Sequence, residues 1–90
     1  MNLIPIESSN IHSAGYDPET RVMRVRFRDY VHKGNGVVKP GAVYEHLDVS
    51  PEAFEAFMAA ESKGAHYAAH IRRFERAGES RGFEHRRVEE

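Results

Sequence analysis

Ninety residues hold one domain and not two, and a chain of this length buries only roughly 60% of the surface its unfolded form exposes, so its core must be compact. With 40% hydrophobic and 30% charged residues, the composition is that of an ordinary globular domain, neither disordered nor membrane-embedded. The absence of cysteine excludes a disulfide framework and any thiolate zinc site, and 13 Lys and Arg against 14 Asp and Glu argue against a strongly basic nucleic-acid binder.

Residues 1–8 form a lead-in with neither a basic stretch nor a long apolar run, and no segment approaches the roughly 20 apolar residues of a membrane span. A cytoplasmic location is therefore expected, and the lead-in can add an edge strand. Residues 10–16 read as a short strand closed by the turn Asp17-Pro18-Glu19-Thr20, because proline fixes its own φ and restricts the residue before it. Residues 21–28 carry the clearest strand pattern. Met23, Val25 and Phe27 alternate with Arg24, Arg26 and Arg28, and the two-residue period sends the apolar set inward and the guanidinium groups outward. Gly34-Asn35-Gly36 is a turn signal and Pro40-Gly41 a break or bulge, so an enlarged hairpin spans 29–41 before a returning strand at 42–49.

Ser50 is a good N-cap, Pro51 suits the first helical position, and Glu52 complements the positive end of the helix dipole. The first helix presents Phe54, Phe57 and Met58 inward and is expected to end at Gly64. A second helix is expected from about Ala65 to Arg76, burying Tyr67, Ile71 and Phe74. Residues 77–90 are charged and expected to be a flexible tail. The resulting fold class is α+β: an antiparallel β-meander of three strands, four with the lead-in, carrying two C-terminal helices on one face. Its expected core is Ile11, Met23, Val25, Phe27, Val49, Phe54, Phe57, Met58, Tyr67, Ile71 and Phe74.

Six short motifs occur in order: Ser9-Asn10-Ile11, Gly15-Tyr16-Asp17, the alternating strand, Val43-Tyr44-Glu45-His46, Ser62-Lys63-Gly64 and His70-Ile71-Arg72. Together they resemble the KTSC domain, found at the C-terminus of some lysyl-tRNA synthetases and as a standalone bacterial protein. The resemblance covers residues 9–76. It departs at the family's central Tyr-x-Tyr, which reads Tyr44-Glu45-His46 here, and at the enlarged hairpin. It implies RNA or tRNA as a partner, by association with a tRNA-charging enzyme.

From the residues themselves, Arg24, Arg26 and Arg28 could neutralise phosphates while Tyr44 and His46 on the neighbouring strand offer rings for base stacking, with Lys63, Arg72 and Arg73 as an adjoining basic edge. The competing reading is a solvated strand face that discourages edge aggregation. Tyr30, Val31, Val37 and Val38 are apolar for a loop tip and point to a protein partner or self-association, or to packing on the domain's own flank. His66 and His70, four apart on a helix, are two ligands without an assigned third, so no metal or other cofactor is expected. No nucleophile elbow or glycine-rich phosphate loop is present, and the domain reads as non-catalytic.

Overall fold

The computed structural model describes residues 2–31, 33–72, 74–76 and 79–88, with 74–76 and 79–81 described by backbone alone. In chain order the elements are β1 (Ile4–Pro5), β2 (Ile11–Asp17), β3 (Val22–Phe27), β4 (Tyr30–Val31), β5 (Val38–Lys39), β6 (Val43–His46), α1 (Pro51–Ala59), α2 (Lys63–His66) running into a π-turn (Tyr67–Ile71), β7 (Phe74–Arg76), β8 (Glu79–Arg81) and β9 (His85–Val88). The fold is α+β, with one antiparallel five-stranded sheet in the order β1-β2-β3-β6-β9 and two short helices.

The alternation in β3 sets the two faces. Pairing places Met23 opposite His46 and Val25 opposite Tyr44, while Arg24 lies opposite Glu45 and Arg26 opposite Val43. The first set faces the helices. Phe54 of α1 stacks on Tyr16 at 5.0 Å between ring centroids, and Tyr67 of the π-turn meets Phe27 at 5.5 Å. Ile6, Ile11, Ala14, Met23, Val25, Val49, Phe57, Tyr67 and Ile71 form the buried cluster, with Phe27, Phe54 and Met58 packed half-buried against it. Ser50 caps α1 as its sequence requires, its Oγ accepting from the Ala53 amide at 3.1 Å.

Several expectations are corrected. The sheet has five strands rather than three or four, and the helices are followed by further strands. The first helix stops at Ala59, and Ser62 caps the start of α2 by accepting from the Ala65 amide, so Ser62-Lys63-Gly64 opens a helix instead of closing one. The second helix does not reach Arg76. In a continuing helix the Ile71 carbonyl would accept from residue 75; here it accepts from the Phe83 amide at 3.0 Å, and Arg72 turns extended with ψ 133°. The 77–90 segment, expected as a flexible tail, contains strand β9, paired with β6 from Val43–Val88 to His46–His85. The side chain of Phe74, expected in the core, lies outside the described residues.

The open face explains why β9 joins the sheet despite having one apolar residue. Glu45 is buried, and its two carboxylate oxygens accept from Arg24 on β3 (2.6 Å from Nη2) and from Arg86 on β9 (2.8 Å from Nε). Burial alone raises the Glu45 carboxyl, but the hydrogen bonds and charges of the two arginines outweigh it and hold it below the ordinary value. Glu45→Ala is expected to cost roughly 1–3 kcal/mol, because it strips both arginines of their shared partner, and to lower amide protection over 85–88. Urea denaturation with hydrogen exchange checks both; an unchanged midpoint would show that β9 is held by its ladder alone.

Candidate functional site

Between the helix-side face of the sheet and the α2–π segment lies a cleft of about 360 Å³, lined by Asn10, Phe27, Tyr44, His46, Gly64, Tyr67, Ala68, Arg72 and His85. The chain brings these together from five places: the turn before β2, the end of β3, β6, the helix segment and β9. Period two along β6 is what turns Tyr44 and His46 into it, opposite in direction to Glu45.

The deepest polar element is a fixed chain. Nδ1 of His46 lies 3.3 Å from the Phe83 carbonyl, which can only accept, so that nitrogen carries the proton. Nε2 is then the acceptor for the Tyr67 hydroxyl at 2.8 Å. Burial, aided by the nearby His85, lowers the His46 pKa against the opposing pull of the Phe83 carbonyl. Burial and Tyr44 push the Tyr67 phenol up to about 12 although Arg72 pulls the other way. Both groups are therefore neutral near pH 7, a donor–acceptor pair satisfied within the fold.

The mouth differs. The Asn10 amide nitrogen, the Tyr44 hydroxyl, the Arg72 guanidinium and the His85 ring have no hydrogen-bond partner among the described residues. Register places Arg87 opposite Tyr44, on the same face as the cleft.

The residues singled out from sequence do not form one surface. Arg24 and Arg26 lie on the open face, Tyr44 and His46 on the helix face, so the expected arrangement of arginines beside stacking rings is split by the sheet. His46 is only 1% exposed and offers no ring to a base. Arg24 is held by Glu45, and Arg28 donates to the carbonyls of Ser8 and Ile6, tying down the lead-in. Lys63 donates to the Ala60 carbonyl at 3.1 Å, while Arg72 reaches the cleft. Arg73 lies outside the described residues. His66 and His70 rings stand 4.6 Å apart, with no group of three potential ligands among the described residues. Tyr30, Val31, Val37 and Val38 sit on the β4–β5 hairpin at 48–63% exposure, not packed on the flank. Asn10, His85 and Arg87 escape sequence reading, since the first is in a turn and the others in a strand without apolar alternation. The signal that could have found Asn10 was its place in a motif of the resemblance.

A small antiparallel sheet whose helix segment closes an aromatic cleft is the class this geometry defines. The KTSC domain model matches residues 7–74, and the chain belongs to the KTSC domain family. A protein of Tsukamurella paurometabola is 40% identical over 60 residues, spanning 67% of this chain and 73% of that one. An uncharacterized protein of Stutzerimonas stutzeri is 33% identical over 67 residues, 74% of this chain and 79% of the other. The crystal structure of a KTSC domain protein from Yersinia pestis superposes with a TM-score of 0.68 at 30% identity, covering 98% of this chain and 97% of that one. No helix among the described residues is long and apolar enough to cross a membrane.

Proposed function

We propose that this KTSC domain is a non-catalytic RNA-binding module of the cytoplasm, and that the cleft rather than the arginine face of the sheet receives the RNA. The observation that carries this reading is convergence. Five of the motifs behind the family resemblance send a residue to the cleft: Asn10, Phe27, Tyr44 with His46, Gly64, and Arg72. A half-apolar pocket with several polar groups converging on it is the default binding site of a small domain. Flat rings beside cationic groups hold single-stranded nucleic acid through stacking and phosphate contact, and here the cationic groups are Arg72 and Arg87. Arg24 and Arg28 are already hydrogen-bonded within the fold, so they have less to offer a phosphate.

Fluorescence anisotropy against tRNA and a mixed single-stranded RNA, at two salt concentrations, tests the reading. Affinity is expected to fall steeply with salt. Tyr44→Ala should weaken binding by about tenfold or more through lost stacking. Arg72→Ser should weaken it and reduce the salt slope by about one. Lys39→Ser, which removes a charge on the distant hairpin, should leave affinity unchanged. Absence of binding at low salt overturns the proposal.

A second reading rests on the exposed hairpin. Tyr30, Val31, Val37 and Val38 form a projecting apolar tip suited to a protein partner or a second copy. Sedimentation at high salt separates the two readings, because an apolar contact survives salt and is lost on Val31→Ser with Val38→Ser.

A further inference from the structure

A cleft that receives RNA can be one stop on a longer track or a pocket for a single unit. Building on the RNA-binding reading, we infer that it is a pocket for one unstacked nucleotide, base inward and phosphate at the rim beside Arg72 and Arg87. Its volume of about 360 Å³ is near the lower end of the roughly 300–1,000 Å³ of small-molecule pockets, room for one base with its ribose and not for a stack of several.

The walls fit a single planar guest. Phe27 meets Tyr44 at 78° and Tyr67 at 74°, Tyr44 meets His85 at 76°, and His46 meets Tyr67 at 71°. These rings pack edge to face, so no face-to-face stack inside the cleft has to be broken for a base to enter. Among the described residues the row of rings also stops there. The stacked contacts, Tyr16 with Phe54 and Phe54 with Phe57, belong to the packing of α1 on the sheet and supply no second platform.

The polar groups divide by depth. His46 and Tyr67 satisfy one another at the floor, while Asn10, Tyr44 and His85 retain donors or acceptors at the height where a base edge would sit. Charge is confined to the rim. The side chains of Arg72 and Arg87 have no hydrogen-bond or ion-pair partner among the described residues, whereas Arg86, of opposite parity on the same strand, is held by Glu45 across the sheet. Alternation along β9 thus assigns one arginine to the fold and turns the next to the sheet face that carries the cleft.

The test is calorimetric titration with AMP, CMP, GMP and UMP separately at low salt, followed by competition of each against a labelled single-stranded RNA. At least one monophosphate is expected to bind 1:1 with a Kd of roughly 1 mM or tighter and to displace the RNA. Tyr44→Leu, which keeps apolar bulk against Phe27 and His85 while removing the ring, should weaken that monophosphate by about tenfold with the native amide spectrum retained. RNA that binds while no monophosphate binds or competes overturns the single-nucleotide pocket and leaves RNA binding standing on a longer surface. Failure of both RNA and monophosphates overturns both.

Discussion

Gly82→Ala is expected to destabilise the protein by about 3 kcal/mol and to disorganise the cleft with it. Gly82 adopts φ +83°, which alanine resists, and a Cβ there would stand 2.2 Å from the Arg72 carbonyl oxygen and 2.8 Å from that of Ile71. Neither neighbour is the end of a flexible side chain, so the backbone itself must move. That backbone is the junction on which the C-terminal segment hangs. The Phe83 amide donates to Ile71, the Phe83 carbonyl accepts from His46, and the Leu47 amide donates to Glu84 at 2.8 Å. Shifting Gly82 therefore displaces Arg72 and His85 together. Gly36 provides the contrast, since its φ is +69° but a Cβ there meets nothing within 4 Å. Gly36→Ala is expected to cost about 1 kcal/mol, the conformational penalty without the clash. Urea denaturation of both variants checks the difference; equal losses would show that the close approach at Arg72 contributes nothing.

Acidification is expected to destabilise the fold in two successive windows. His46 is buried neutral with its pKa lowered from 6.5, so the unfolded state binds its proton first as pH falls. The stability it contributes is complete above about pH 6.5 and is lost below that, down to its folded pKa. Partial burial and His70 lower His66 as well, and it acts in the same window. Glu45, lowered from 4.5, contributes stability that is present above that value and is lost as pH falls further. Tyr67→Phe isolates the His46 part. It removes the donor to Nε2 and leaves a buried acceptor unpaired, costing roughly 1–3 kcal/mol at about pH 7.5. It also makes neutral His46 less favourable, so the loss between about pH 7.5 and 5.5 should be shallower than in the unsubstituted protein. Parallel acid limbs in the two proteins would show that His46 does not drive the first window.

The parts of the fold that sequence discloses are those decided locally. The parity of Met23, Val25 and Phe27 against the arginines, the Ser50 cap and the turn after Asp17 each depend on neighbours a few residues away. Strand β9 does not. His85-Arg86-Arg87-Val88 has no apolar period, and it is a strand because β6 offers an edge and Glu45 a buried carboxylate for Arg86. The second helix fails for a similar reason. Tyr67, Ile71 and Phe74 have helical spacing, but the Ile71 carbonyl is taken by Phe83, twelve residues on. The candidate site was half legible. Tyr44, His46 and Arg72 stand out as residue types, yet the face of β6 follows from its register with β3, which a single sequence does not display. That register separates Tyr44 from Arg24 and moves the site from the sheet's open face to the cleft.

Whether the cleft receives RNA is decided by an amide chemical-shift titration of the ¹⁵N-labelled protein with a short single-stranded RNA at low salt. Saturable shifts are expected to concentrate at Asn10, Tyr44, Tyr67, Arg72 and His85. Shifts concentrated at Arg24, Arg26 and Arg28, with the cleft residues unmoved, would contradict an RNA site in the cleft.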